Sequence, residues 1–326
     1  MTSVTQIPPL VTIFGGSGFV GRHLVQALAR RGYRIRVAVR NPNAAHHLQP
    51  LGNVGQVQAI QANLRHRGSI DRAVLGADCV VNLVGILTES RKQSFDAIQA
   101  AGARAVAEAT QAVGARLVHL SAIGADPQSE SVYARSKAAG EAAALETIKD
   151  AVIFRSSIIF GPEDDFFNRF ANMARFSPFL PLIGGGHTRF QPVYVSDVAE
   201  AIALAVDGKV AGGRVYELGG PRVLTFRECM EEVLEVTERK RLLLPLPWAL
   251  ANLMGQVFQI LPKPLLTVDQ VTQLKVDNVV SPAAEKDGRT FQGLGIRPQG
   301  MEAILPTYLW TYRATGQFPR QTSELG

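Results

Sequence analysis

Short, nearly all-apolar runs alternate with segments of helical period through the first half of the chain. The runs are LVTIF (10–14), YRIRVAV (33–39), VGQVQAI (54–60), CVVNLVG (79–85), RLVHLSA (116–122) and AVIFRSSIIF (151–160). Between them lie GRHLVQALARR, RGSIDRAVLG, SFDAIQAAGARAVAEATQAVG and VYARSKAAGEAAALETI. Runs apolar on both faces of the pleat belong in a parallel sheet covered by helices on each side. Strict alternation of the two patterns predicts an α/β fold, a doubly wound parallel sheet with right-handed crossovers. After about residue 160 the rhythm breaks into loops rich in Pro, Phe and Gly (GPEDDFF, FSPFLPLIGGG, LPKPLL), with short elements such as TRFQPVYV and RVYELGG leading to helices. The expected division is a sheet domain over 1–160 and a smaller, irregular C-terminal α/β lobe over 161–326. The lobes are expected to interleave, with some C-terminal strands joining the main sheet.

FGGSGFVGRHL follows the first run and opens the first helix, with Gly15, Gly18 and Gly21 three apart. A helix start carries free N–H groups and a positive dipole end, and glycine lets backbone approach a pyrophosphate without a Cβ between them. Spacing alone is weak, but strand before and helix after make residues 1–160 a candidate Rossmann dinucleotide-binding domain. Asn63 after the third run can hydrogen-bond an adenine edge, with Leu64 packing on the ring. Leu83, Val84 and Gly85 at the end of the fourth run then lie under the ribose and phosphate.

Charge sharpens the expected ligand. The net charge is +6, yet residues 1–70 hold eight arginines and no Asp or Glu, so the block carries +8 and the remainder −2. A dinucleotide without a 2′-phosphate is usually held by an acid at the end of the second strand. Here that strand ends VAVRNP, placing Arg40 where an acid would repel a 2′-phosphate and an arginine attracts it. NADP(H) is expected in preference to NAD(H). No nucleic-acid motif accompanies the basic block, so no nucleic-acid partner is expected.

Tyr133 and Lys137 stand four apart on a predicted helix and share a face. An ammonium close to a phenol lowers its pKa, as a general acid or base requires, and lysine can also hold ribose hydroxyls. Ser121 at the end of the fifth run could orient a carbonyl or the tyrosine. Together FGGSGFVG, YARSK, FGPED and FQPVYVSDVAEAI resemble the extended short-chain dehydrogenase/reductase superfamily over residues 10 to about 235. More narrowly, LVTIFGGSGFVGRHLVQALARRGYRIRVAVR, VVNLVGIL, HLSAIGAD, FGPEDDFFNRFANMA, YELGGPRVLTFRECM and the closing YLWTYRATGQFP are similar to its atypical, bacterial-type branch containing the nucleotide-binding accessory subunit of respiratory complex I.

That resemblance implies a tightly held NADPH with a structural role. Gly15, Ser17, Gly18, Phe19 and Val20 match the phosphate loop, Arg40 the 2′-phosphate position, and Ser121, Tyr133 and Lys137 the nominal catalytic positions. It further implies partners in the peripheral arm of complex I and a peripheral seat on the cytoplasmic face of a bacterial inner membrane, or the matrix side in a mitochondrion. Only twelve positions separate Ser121 from Tyr133, where catalytic extended members carry a longer loop that shapes the substrate cleft. The triad is therefore expected to hold cofactor rather than turn over substrate. Two alternatives stay open: a free NADP-dependent oxidoreductase or epimerase using Tyr133 and Lys137, and an NADPH-sensing binding protein.

The longest uncharged run, Leu242 to Pro262, is broken early by Pro245 and Pro247 and falls short of the ~20 helical residues that span a bilayer. It is expected to pack in the small lobe, dock on a partner or lie on a membrane surface, with Lys263 closing it at the polar boundary. FSPFLPLIGGG, with Phe176 and Phe179, is a second candidate contact. Asp164 and Asp165 read as a helix N-terminal cap. The six histidines have no metal-like spacing, so no metal is expected. Cys79 and Cys229 form no disulfide framework and favour a reducing compartment.

Overall fold

The computed structural model describes residues 7–90, 93–259, 264, 266–314 and 316. It divides into two units. The first contains a seven-stranded, all-parallel sheet built from β1 (Leu10–Phe14), β2 (Arg34–Val39), β3 (Val57–Gln61), β4 (Cys79–Asn82), β5 (Arg116–Ala122), β6 (Val152–Ser156) and the strand Arg214–Leu218. Their order is Arg214–Leu218, β6, β5, β4, β1, β2, β3. The order reverses between β1 and β4. A doubly wound sheet opens a ligand crevice at such a point, beyond the carboxyl ends of its strands.

The apolar runs pair in register because both faces of each strand are covered. Val11, Ile13 and Phe14 of β1, Val80 and Val81 of β4 and Ile153 and Phe154 of β6 are buried. One face packs on α2 (Arg67–Val74), α3 (Ala101–Ala112) and α4 (Val132–Thr147), through Phe14, Val80, Leu117 and Ile153 against Ile70, Val106, Ala107 and Ala144. α1 (Phe19–Arg30) joins β1 to β2 and buries Leu24, Val25, Leu28 and Ala29 on the stripe its 3.6-residue period creates. The helix Val195–Val206 and residues 280–297 belong to this unit as well.

Local polar chemistry trims several of the expected strands. The third run pairs only from Val57, because Gln56 turns inward and donates from Nε2 to the carbonyls of Ala29 and Tyr33. The fourth stops at Asn82, whose Oδ1 accepts from Val84 N and bends the chain out of the ladder. AVIFRSSIIF is not one strand. It leaves the sheet at Ser156, Ser157 Oγ bonds to Asn278, and Ile159–Phe160 pair instead with Val193–Tyr194 in the second unit. The helix expected from residue 94 opens with a π turn at Asp96–Ala100 before α3.

The second unit comprises Ser157–Tyr194, Gly219–Val279 and the chain from Pro298. Its core is aromatic: Phe160, Phe167, Phe190 and Phe226 are buried with Leu180, Leu182, Met230 and Leu309. Asp164 caps the helix Phe167–Phe176. Its Oδ1 accepts from the N–H groups of Phe167 (2.6 Å) and Asn168 (3.2 Å), and its Oδ2 accepts from the Tyr308 hydroxyl. The long apolar run yields a short parallel strand, Leu242–Leu246, and a helix, Trp248–Phe258, that buries Ala251 and exposes Leu250, Leu253 and Val257. Residues 260–263 of that run and its boundary, Lys263 included, lie outside the described residues. Among the described residues no helix is long and apolar enough to cross a membrane.

Candidate functional site

The glycine stretch makes a tight turn between β1 and α1. Gly15 adopts φ +81°, a left-handed conformation that side chains disfavour. A Cβ on Gly21 would lie 2.5 Å from Gly15 O, Gly16 Cα and Gly16 C, so the first helical turn packs directly on the loop's backbone. α1 begins at Phe19 and Val20 with Gly18 as its N-cap, no side-chain cap and no acidic residue in its first turn. Its leading N–H groups and positive dipole end are available to an anion. Ser17 is half-buried beside the exposed Gly18. Gly15 also abuts the end of β4: its Cβ position lies 3.3 Å from Leu83 C and Val84 N. The loop and Leu83–Val84 thus form one continuous floor at the switch point of the sheet.

At the carboxyl ends of β2 and β3 a cavity of about 580 Å³ is lined by Arg40, Gln61, Asn63, His66, Arg67, Gly68, Ser69 and Arg72. Arg40 and Asn63 share it, and no carboxylate lines it. Asn63 Oδ1 accepts from Arg65 N at 3.1 Å and its own N–H donates to Ser69 Oγ at 3.0 Å, which fixes the turn into α2. Leu64 is half-buried and leans on α3, with its Cδ1 3.1 Å from the Cβ position of Gly102.

Tyr133 and Lys137 project from one face of α4, as their spacing requires. Lys137 Nζ lies 5.9 Å from the Tyr133 ring centroid and 3.1 Å from the Cβ position of Gly85. The lysine is 6% exposed, and its ammonium reaches the Leu120 carbonyl at 3.4 Å. Burial pushes its pKa down from 10.5 to about 8, against the opposing pull of Glu141. Ser121 is buried on β5, and its Oγ finds no partner among the described residues. The structure therefore brings Gly85, Lys137 and Tyr133 together.

The groups supporting this corner leave no mark in the pattern of strands and helices. The π turn before α3 is pinned by Glu89, whose Oε1 accepts from Phe95 N at 2.7 Å, and Phe95 packs edge-on to Tyr133 at 5.7 Å. Gln99 lies in that turn and donates from Nε2 to Ser136 Oγ at 3.0 Å, while its Oε1 is buried with no partner among the described residues. Asn82 Nδ2 and His119 Nδ1 are 3.2 Å apart. Because Asn82 Oδ1 is committed to Val84 N, the amide donates and His119 Nδ1 accepts, leaving the proton on Nε2. Burial, with Lys137 nearby, holds the His119 pKa down to about 3, so the ring is neutral. Helical spacing carries no signal for a π turn, and a lone histidine in an apolar strand reads as core. Among the described residues no cluster could hold a metal ion.

Residues 11–219 match the model of the NAD dependent epimerase/dehydratase family. The chain is 36% identical over 320 residues to NADH dehydrogenase [ubiquinone] 1 alpha subcomplex subunit 9, mitochondrial, of Arabidopsis thaliana, covering 94% of this chain and 79% of that protein. It is 33% identical over 240 residues to a ceramide reductase of Caulobacter vibrioides, covering 73% of this chain and 74% of that protein. A UDP-glucose 4-epimerase of Thermus thermophilus, solved with NAD, superposes with a TM-score of 0.69 at 22% identity over 94% of this chain and 99% of that one. The parallel sheet, its glycine turn at the switch point and the family match agree: the chain belongs to the NAD dependent epimerase/dehydratase family.

Proposed function

We propose that this protein is a nicotinamide-dinucleotide-binding accessory subunit of respiratory complex I that retains NADPH as a structural cofactor. The observation that carries the reading is similarity to a complex I subunit along 94% of the chain, including the lobe after residue 219 where the family model ends. The site's geometry fits the cofactor. The turn of Gly15, Ser17 and Gly18 with the start of α1 at Phe19 and Val20 would receive the pyrophosphate. Leu83, Val84 and Gly85 would lie beneath the ribose, Asn63 and Leu64 beside the adenine, and Arg40 at the 2′-phosphate. Lys137 Nζ is the donor suited to the nicotinamide ribose hydroxyls, and the Ser121 Oγ, unpartnered among the described residues, supports a polar group bound above β5. When bound, the nicotinamide supplies or accepts a hydride; the chain's residues hold and orient it.

The short Ser121–Tyr133 connection favours retention over turnover. The proposed setting is the peripheral arm of the complex, on the cytoplasmic face of a bacterial inner membrane, with the exposed Leu250, Leu253 and Val257 and the strand before them as a membrane-surface contact. Affinity purification from detergent-solubilised membranes tests the assignment: complex I subunits should co-purify in fixed ratio, and recovery of a lone soluble protein would reject it.

A second reading, an NADP-dependent reductase, rests on the lowered pKa of Lys137 beside Tyr133. That pairing suits proton transfer to a carbonyl. The identity to a ceramide reductase supports it as well.

A further inference from the structure

The cavity beside Arg40 holds more positive charge than a single strand-end arginine provides. Arg40, Arg67 and Arg72 line it, and none of its lining residues is acidic. These cations are not equally available. Arg67 is spent on two carboxylates, with Nε 2.7 Å from Asp71 Oδ1 and Nη1 2.6 Å from Glu108 Oε2. The side chains of Arg40 and Arg72 form no ion pair or hydrogen bond among the described residues. Arg72 also folds back along α2: its Nη1 lies 3.8 Å from the Cβ position of Gly68, at the helix's first turn. Two unengaged guanidinium groups, one from the end of β2 and one from α2, therefore share a concave site without an opposing acid.

Charge and shape select the ligand. A phosphate monoester carries close to two negative charges at neutral pH and offers three acceptor oxygens. Planar guanidinium groups meet such oxygens in pairs of parallel hydrogen bonds. A nucleotide bearing only a ribose 2′-hydroxyl gives two arginines nothing to neutralise. We infer that Arg72 is a specificity-determining residue that clamps the 2′-phosphate of the dinucleotide against Arg40, so that α2, and not only the end of β2, discriminates NADPH from NADH. The inference rests on the NADPH reading proposed above and adds to it the residue on the far side of the phosphate.

The test uses the full chain freed of nucleotide, titrated with NADPH, NADH, 2′,5′-ADP and 5′-ADP by calorimetry. Native protein should prefer NADPH to NADH and 2′,5′-ADP to 5′-ADP. Arg72→Leu should weaken the two 2′-phosphorylated ligands roughly tenfold or more while changing the others less than about twofold. Arg72→Lys should recover part of the loss. Arg72 is exposed, so neither variant should disturb folding, and unchanged circular dichroism checks this. If Arg72→Leu leaves the native preference intact, or weakens all four ligands equally as loss of adenine stacking would, the clamp is refuted while the NADPH reading stands. If native protein shows no preference, the NADPH reading fails and the clamp with it.

Discussion

Lys137→Met separates what Lys137 costs the fold from what it does for a ligand. The ammonium is almost wholly buried, and its pKa falls from 10.5 to about 8 because burial disfavours the charged form. Between those values the folded protein binds fewer protons than the unfolded chain. Stability therefore rises with pH through the window from about 8 to 10.5, and the penalty is fully present below pH 8. At 1.36 kcal/mol per pKa unit, the charge costs the nucleotide-free fold roughly 3 kcal/mol at pH 7. Methionine keeps the length of the stem and removes the charge. Nucleotide-free Lys137→Met should be more stable than native at pH 7 by up to about 3 kcal/mol, an advantage that fades toward pH 10.5. In the presence of saturating NADPH the order should narrow or reverse, because the native ammonium regains a partner in the ribose hydroxyls. Urea unfolding followed by far-ultraviolet circular dichroism is the assay. Trp248 and Trp310 both lie in the second unit, so circular dichroism, which reports on both units, is preferred to tryptophan fluorescence. A variant less stable than native at pH 7 without nucleotide, or a difference that does not vary with pH, would show that the buried ammonium does not cost the fold.

Three further substitutions probe the site. Gly21→Ala puts a Cβ 2.5 Å from three backbone atoms of the glycine turn, so it should cost about 1–3 kcal/mol as overpacking and abolish nucleotide retention, read by thermal melting and nucleotide release. A protein that keeps its nucleotide and melting temperature would show that the turn is slack. Arg40→Asp should weaken NADPH far more than NADH in competitive titration; equal losses contradict a 2′-phosphate contact. Tyr133→Phe should leave NADPH retention and assembly within about twofold of native if the triad only holds cofactor. Loss of a measurable reductase activity in that variant would instead favour the catalytic reading.

The parallel sheet and its glycine turn were legible because they rest on strong local signals. Continuous apolar runs mark strands covered on both faces, and Gly15 and Gly21 answer steric demands that other residues cannot meet. The seventh strand, Arg214–Leu218, was visible only as a short element whose place in the sheet depends on contacts far along the chain. The exit of the chain after Ser156 was hidden for the same reason: the bonds that redirect it, Ser157 to Asn278, span 121 positions. In the site, Tyr133 and Lys137 could be paired from helical spacing alone. Arg72 could not, because on a short polar helix it resembles any solvated cation until its path over Gly68 and the engagement of Arg67 are seen. Gln99 and His119 escaped too, since their importance comes from burial and from a π turn that periodicity does not encode.

The proposal that the cofactor is held rather than consumed is tested most directly by its fate in the working complex. Membranes oxidising NADH would be quenched in acid before and after many turnovers, and the nucleotide released from this chain identified by mass spectrometry. About one NADPH per chain, still reduced and unchanged in amount after turnover, is the predicted result. Absence of nucleotide, NAD(H) in its place, or conversion to NADP⁺ during turnover would contradict it.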